Sequence, residues 1–355
     1  MRLFACPNCD QRLYFENSRC LACGSEVLYD PVETEFVLLG GSNFACLNAD
    51  PALCNWRAPE AQSFCRACAL NKTIPDMSVE GNRDRWIRVE AAKRRLIYAL
   101  LSFGLEVRPK ATPDDQAGIA FDFLADPIGA GPGGEHILTG HDNGIITLNV
   151  AEADSVEREK MRVEMGETYR TLLGHFRHEI GHFYWDRLIR DDPARLARSR
   201  ELFGDDTRDY GQALQDHYNN PPAPGWEAEH ISAYAASHPW EDWAETWAHY
   251  LHIVDTLEMA KSLDMSIGAM KTAGGELALP NEQAVGRDGS GHERSDFDTV
   301  LEQWIVLSNA SNSINRCMGL PDLYPFVISR VVADKLAFID SVLRDSREAP
   351  VARAA

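Results

Sequence analysis

Long hydrophobic runs are missing from this 355-residue sequence. No stretch approaches the roughly 20 apolar residues that a membrane-spanning helix needs. Residues 1–7 include Arg2 and lack the apolar core of a secretory signal. We therefore expect a protein of the cytoplasm that has no membrane partner.

Positive charge is also scarce, with 35 Lys and Arg against 54 Asp and Glu and a formal net charge of −19. A chain this acidic repels a phosphate backbone unless it has a local basic patch. The basic clusters are short, and we interpret Lys93-Arg94-Arg95 as the solvated face of a helix. Nucleic acid is therefore excluded as an expected partner.

Cysteine, in contrast, is abundant for a cytoplasmic chain, where disulfides are disfavoured and paired spacings indicate metal. Cys6 and Cys9 form one Cys-x-x-Cys pair, and Cys20 and Cys23 form another after ten intervening residues. Four thiolates so arranged predict a closed structural zinc ribbon. A redox role is disfavoured because there are two pairs and no βαβ context.

A second cysteine set is less regular. Its members are Cys46, Cys54, Cys65 and Cys68. The wide spacing of the first two leaves free thiols as an alternative, but we favour a second four-cysteine zinc site. We place a zinc-ribbon domain with one or two such sites at residues 1–75 and a catalytic domain at residues 80–345.

The stretch His178-Glu179-Ile180-Gly181-His182 is the centre of the second region. Apolar residues repeat around it at helical spacing, which predicts a helix. On that helix His178 and His182 lie one turn apart on the same face, where two imidazoles can share a zinc ion. Glu179 then stands where a carboxylate can take a proton from water. The alternative is an ordinary surface helix.

A catalytic zinc needs a third protein ligand. A further histidine six residues on is absent, since Trp185 and Leu188 occupy those positions. The ligand is then expected from a later helix, where Glu241 and Glu245 lie one turn apart. We favour Glu245, because Glu241 lies in the first helical turn, which is less fixed.

Stabilising an oxyanion needs a further hydrogen-bond donor. His238 and Tyr234 are the candidates we retain, with Arg316 and Tyr324 as alternatives. Residues 144–150 are β-branched and apolar and are predicted to form an edge strand that pairs with an extended substrate. Residues 157–190 are predicted as one long helical stretch, and residues 193–230 as a polar insertion.

These motifs together resemble bacterial zinc-binding metallopeptidases with an N-terminal zinc ribbon, and more broadly the gluzincin peptidases. The matching parts are the ribbon cysteines, the His178–His182 motif and the segment from Glu241 to Trp247. The resemblance implies an α+β protein with a thermolysin-like core, in which a small twisted sheet packs on the active-site helix, and a mainly helical C-terminal part. It also supports His178, His182 and Glu245 as ligands and Glu179 as the base.

The expected function is a zinc-dependent hydrolase that cleaves a peptide or protein, with one catalytic and two structural zinc ions. The alternative is a non-enzymatic zinc protein whose ribbons recruit a protein partner and whose metal-binding helix is a scaffold. An intact Glu179 argues against this alternative, because a scaffold needs ligands but no base. Hydrolysis of a non-peptide amide is chemically open.

Overall fold

The computed structural model describes residues 1–126, 137, 139–164, 167–220, 222–267, 270–272, 275–277 and 296–348. They form two compact units, residues 4–196 and residues 197–355 with residues 1–3. No helix among these residues is long and apolar enough to cross a membrane. The predicted domain boundary at residues 75–80 does not coincide with the boundary between the units, and it stays a prediction.

Three antiparallel hairpins begin the first unit. They are β1 (Phe4–Ala5) with β2 (Arg12–Leu13), β3 (Val27–Asp30) with β4 (Glu35–Leu38), and β5 (Phe44–Ala45) with β6 (Arg57–Ala58). Their apolar core is aromatic: Phe15 packs edge-on against Tyr29 and Trp56. Such rings bury much area in a region too short for a large aliphatic core.

A four-stranded sheet follows. Its strands are β7 (Asn71–Thr73), β8 (Ala120–Leu124), β9 (Gly140–Asp142) and β10 (Ile145–Asn149), in the spatial order β7-β8-β10-β9. The strand β10 pairs in parallel with β8 and antiparallel with β9. The prediction that residues 144–150 form an edge strand is therefore wrong.

The reason is a tight turn at Asn143-Gly144, where both residues have positive φ, 45° and 76°. This backbone is that of a two-residue hairpin turn, and Asn-Gly is its strongest sequence signal. The turn folds β9 onto β10 and makes β9 an outer strand.

The helices of this unit are α1 (Asn82–Ser102), α2 (Ser155–Glu164) and α3 (Leu172–Leu188). The predicted single helix over residues 157–190 is thus two helices. The α3 helix begins afresh at its N-cap Thr171, whose hydroxyl accepts a hydrogen bond of 3.0 Å from the Gly174 amide. Phe176 on α3 packs against Phe121 and Phe123 of β8, so the sheet lies on the helix that carries the histidines.

The other unit is mainly helical, as expected. Its elements are α4 (Pro193–Phe203), α5 (Tyr210–Asn219), α6 (Pro239–Ser262), β11 (Met270–Thr272), β12 (Gly275–Leu277), α7 (Phe297–Cys317) and α8 (Arg330–Glu348). The boundary between the two units falls within α4. Trp243 and Trp247 of α6 are fully buried in its core. The expected polar insertion at 193–230 instead contains α4 and α5. The described residues form a mixed α and β structure with a mainly helical C-terminal part, and the thermolysin-like core stays a prediction.

Candidate metal centres

The two histidines of α3 have the separation that a shared zinc ion requires. Their Nε2 atoms lie 3.2 Å apart. Two nitrogen ligands at about 2.0–2.1 Å from a tetrahedral zinc are about 3.4 Å apart. His182 is 3% exposed and His178 is half-buried, while Glu179 follows His178 directly and is half-buried too. The helix therefore presents a metal-binding pair with a carboxylate beside it.

The third ligand is expected from α6, where Glu241 is 1% exposed and Glu245 is half-buried. Glu245 Oε2 accepts a hydrogen bond of 2.6 Å from the Ser232 hydroxyl. Both carboxylates are candidates, and the choice of Glu245 stays a prediction.

Local contacts explain why the first turn of α6 is well fixed. Tyr210 donates a hydrogen bond of 2.6 Å to Glu241 Oε1. Pro239 occupies the first helical turn, where its fixed φ suits the helix. His238 caps the same turn, because its Nδ1 accepts a hydrogen bond of 3.1 Å from the Trp240 amide. The argument that a first turn is too loose to hold a ligand thus fails here.

The same cap engages both ring nitrogens of His238. Because Nδ1 accepts from the Trp240 amide, Nε2 carries the proton and donates it to the Arg208 carbonyl oxygen, 3.2 Å away. The residue is 3% exposed. These contacts give His238 a structural role at the start of α6, and its catalytic role stays a prediction.

The other candidate donors have structural contacts as well. The Tyr234 ring packs edge-on against His217, with centroids 5.7 Å apart, and Tyr234 stays a prediction. Tyr324 shares a hydrogen bond of 2.8 Å with His249 Nδ1. Arg316 forms a two-pronged ion pair with Asp322 on the surface. The contacts of Tyr324 and Arg316 stabilise the parts of the fold in which these two residues lie.

Sequence reasoning missed His141, which lies on β9. Its ring stacks on that of His182, with centroids 6.3 Å apart and planes 21° from parallel. Burial, with the nearby His182 and Lys110, lowers the pKa of His141 to about 3, so the ring is neutral. The Gly144 amide donates to its Nε2 over 2.9 Å. The Asn143-Gly144 signal would have placed His141 at the end of a hairpin strand.

A buried carboxylate holds the start of α3. Glu152 Oε2 lies 2.6 Å from His175 Nδ1 and 3.4 Å from Arg170. Burial alone would raise the pKa of Glu152, but His175 and then Arg170 outweigh it and hold the pKa at about 2. His175 is therefore occupied one turn before His178, in agreement with its omission from the ligands.

Two groups of four cysteines are assembled as the sequence predicts. The first cysteine cluster consists of Cys6, Cys9, Cys20 and Cys23, and the second of Cys46, Cys54, Cys65 and Cys68. The measured Sγ–Sγ distances are 3.6–3.7 Å in both clusters. Four thiolates at about 2.3 Å from a tetrahedral zinc are about 3.8 Å apart, whereas disulfide sulfurs are about 2.05 Å apart. Both clusters fit a zinc ion.

The two clusters differ in burial. Cys9 and Cys23 of the first cluster are exposed, whereas all four members of the second are buried. The Ser25 hydroxyl and then the Asn8 side chain lower the pKa of the Cys23 thiol to about 5. The Gln11 backbone lowers the pKa of the Cys9 thiol, but its hydrogen bond with Cys23 and its other neighbours outweigh that effect and raise the pKa to about 12. The first cluster is a surface site and the second is enclosed by the fold.

Comparison with known proteins agrees with these groupings. A zinc-ribbon domain family matches residues 3–79, the part that carries both cysteine clusters. Two uncharacterized proteins, one from Mycobacterium bovis and one from Mycobacterium tuberculosis, are each 42% identical over 347 residues, which cover 97% of this chain and 95% of theirs. No solved structure matches the chain. A further family matches residues 82–342, most of the chain, and the chain therefore belongs to the family described as "Putative zinc-binding metallo-peptidase".

Proposed function

We propose that the chain is a zinc-dependent hydrolase of the His-Glu-x-x-His type and that it cleaves peptide bonds. The observation that carries this proposal is the pair of His178 and His182, whose Nε2 atoms lie 3.2 Å apart on α3 beside Glu179. We propose the buried carboxylate of Glu241 on α6 as the third ligand. Three protein ligands leave a fourth position for water, which is the arrangement of a catalytic zinc. The family to which the chain belongs is described as zinc-binding, which supports a metal at this site.

Glu179 is the proposed general base. A zinc ion held by the three ligands would polarise the scissile carbonyl and lower the pKa of the attacking water. Glu179 accepts the proton of that water and later donates it to the departing amine nitrogen. Tyr210 holds the Glu241 carboxylate through its 2.6 Å hydrogen bond, and His141 packs on the His182 ring. These contacts fix the orientation of two of the three ligands.

The proposed place for the substrate backbone is β9. Among the described strands of the sheet, β7 and β9 are the outer ones. An extended peptide can add to such an outer strand through main-chain hydrogen bonds. The strand β9 carries His141, which stacks on His182, so a peptide paired there would pass beside the metal ligands.

The test is a comparison of Glu179→Gln with the wild type on a peptide library, with products identified by mass spectrometry. Glutamine has the size of glutamate but cannot accept the proton, so we expect a loss of about 10²- to 10⁴-fold in turnover. Zinc content should not change. Glu201→Gln on α4 is the matched control, because Glu201 is exposed and pairs only with Arg198 in the recorded contacts. Equal turnover in wild type and Glu179→Gln would exclude Glu179 as the base.

A second candidate function is recruitment of a protein partner through the ribbon. Leu21, between the first cluster's second pair of cysteines, is 91% exposed, and Tyr14 is 54% exposed. Exposed apolar side chains offer surface for a protein contact. If Leu21→Ser abolishes capture of a cellular protein identified by mass spectrometry and leaves peptide turnover unchanged, this function gains support. It is compatible with peptidase activity.

A further inference from the structure

Two of the three residues of the basic cluster in α1 are not solvated. Lys93 is completely buried and Arg94 is 5% exposed, contrary to the sequence interpretation. Glu90, one turn earlier, is completely buried as well. Buried charges are costly unless they are paired and hydrogen-bonded, so these side chains need a structural reason.

The reason lies at the second cysteine cluster. Glu90 Oε2 is 3.8 Å from the sulfur of Cys68. The other oxygen, Oε1, accepts hydrogen bonds from Asn71 Nδ2 at 2.7 Å and from Lys93 Nζ at 2.8 Å. Lys93 also donates to Asn71 Oδ1, and Arg94 Nη1 lies 4.0 Å from Glu90 Oε2. The cluster is therefore joined to α1 and β7 by a buried polar network.

Charge explains why the network has this composition. Four thiolates around one zinc ion carry roughly two net negative charges. A glutamate against one of these thiolates would add a third negative charge in a region without water. Lys93 and Arg94 oppose this charge at close range, and attraction between charges is stronger in a buried site than in water. Lys93 is thus the group that lets Glu90 remain beside the loaded cluster.

The network continues to the helix that carries the histidines. Lys93 Nζ lies 5.5 Å from the ring centroid of Phe121 and 5.3 Å from that of Phe123. Both rings contact Phe176 of α3, with centroids 5.6 Å and 6.1 Å away. Phe176 is completely buried and precedes His178 by two residues. Every residue in this series belongs to the unit of residues 4–196.

We propose that the second cysteine cluster is a positioning site for α3. Its zinc ion, through Glu90 and Lys93, holds the packing of Phe121 and Phe123 against Phe176 and thereby the position of α3 against the sheet. The cluster is then part of the scaffold of the peptidase region and not a detachable ribbon. This role does not depend on the hydrolase activity proposed above. The competing interpretation is a cluster that stabilises only its own loop.

The experiment compares three full-length, zinc-loaded proteins, Lys93→Met, Lys93→Met/Glu90→Gln and the wild type. Zinc release to a chelator and backbone hydrogen exchange of residues 172–188 are measured on each. In Lys93→Met the charge of Glu90 is unopposed, so we expect zinc release from the second cluster and exchange in α3 to rise at least about tenfold. The double variant has no buried carboxylate and should return within about threefold of the wild type.

Arg95→Met is the matched control, since Arg95 is the next residue of α1 but is exposed and pairs with Glu16 on the surface. It should leave both measurements unchanged. If Lys93→Met does not yield folded protein while the double variant does, the charge pairing is supported by that difference alone. If the single and double variants lose zinc equally, the proposed charge compensation is wrong.

A second comparison separates the two cysteine clusters. Cys9→Ser removes a ligand of the first cluster, and Cys68→Ser removes one of the second. We expect faster exchange in residues 172–188 for Cys68→Ser and not for Cys9→Ser. Equal exchange in the two variants, whether raised or unchanged, would overturn the proposal, because the second cluster would then have no special connection to α3.

Discussion

The Tyr210 hydroxyl donates a hydrogen bond of 2.6 Å to Glu241 Oε1. Glu241 is 1% exposed and Tyr210 is 38% exposed, so the carboxylate side of this bond is shielded from water. Hydrogen bonds of this kind orient a ligating carboxylate, and their loss typically costs about 10- to 100-fold in metal affinity. This contact suggests a test of whether Tyr210 orients Glu241, the proposed third ligand of the catalytic zinc ion.

Tyr210→Phe should weaken zinc binding at this site by about tenfold while the fold is kept. Phenylalanine retains the ring, which contacts His238 and Trp240, and removes only the hydroxyl. The measurement is a chelator competition assay that follows the release of the one zinc equivalent bound at this site. Tyr218→Phe is a suitable control, because Tyr218 is an exposed tyrosine on the same helix. An unchanged affinity would show that Tyr210 does not orient the ligand.

A comparison of Glu241→Gln with Glu245→Gln tests which of the two carboxylates is the third zinc ligand. An uncharged amide is a poor zinc ligand, so Glu241→Gln should lower the zinc affinity of the His178–His182 site by more than about a hundredfold. This exceeds the loss of about 10- to 100-fold that follows removal of a residue that only hydrogen-bonds to a ligand. Glutamine at 245 can still accept the Ser232 hydrogen bond, and we expect at most about a tenfold loss.

The zinc content of each variant is determined, and its zinc affinity is measured by chelator competition. The metal in the two cysteine clusters should remain, which serves as an internal reference. A larger loss in Glu245→Gln than in Glu241→Gln would support Glu245, the choice made from the sequence, and contradict the proposal that Glu241 is the ligand.

The choice between Glu241 and Glu245 also shows what the sequence alone does not determine. The spacing of His178 and His182 is local, because helix periodicity alone sets it, and so is the spacing within each Cys-x-x-Cys pair. Glu241 and Glu245 share a helix face, so periodicity cannot separate them. The difference comes from Tyr210 and Ser232, which are remote in sequence.

Lys93 illustrates a related limit. A basic run on an amphipathic helix is usually solvated. The position of Lys93, four residues after Val89 and four before Ile97, places it on the apolar stripe of α1, but the sequence does not show which groups would pair with its charge. Its partners Asn71 and Glu90, and the rings of Phe121 and Phe123, surround it only in the folded unit. The Asn143-Gly144 turn, in contrast, was a readable signal that would have predicted the hairpin and the outer position of β9.

Thiol modification should distinguish the two cysteine clusters. Cys9 and Cys23 are exposed, whereas reagents reach the second cluster only after local opening of the fold. We expect alkylation of the first cluster, with release of its zinc, to be at least about tenfold faster than that of the second. Mass spectrometry of peptides from full-length protein identifies the labelled positions. Cys317 is exposed and outside both clusters, so its labelling rate calibrates a free thiol. Simultaneous labelling of both clusters would contradict the difference in burial.

The last prediction concerns His238. Its ring nitrogens bond the Trp240 amide and the Arg208 carbonyl oxygen, so its role is to hold the first turn of α6. His238→Ala should therefore cost about 1 kcal/mol of stability through loss of the cap. Asparagine is among the best capping residues, so His238→Asn should recover most of that loss.

The two roles of His238 predict very different kinetics. Removal of an oxyanion donor lowers kcat by about 10²- to 10³-fold, whether or not the cap is restored. Removal of a cap has no such effect once asparagine replaces it, and turnover of a library peptide by His238→Asn should stay close to that of the wild type. Thermal unfolding and peptide turnover, measured on both variants, separate the two roles. A stable His238→Asn protein with a hundredfold loss of kcat and unchanged zinc content would make His238 catalytic after all.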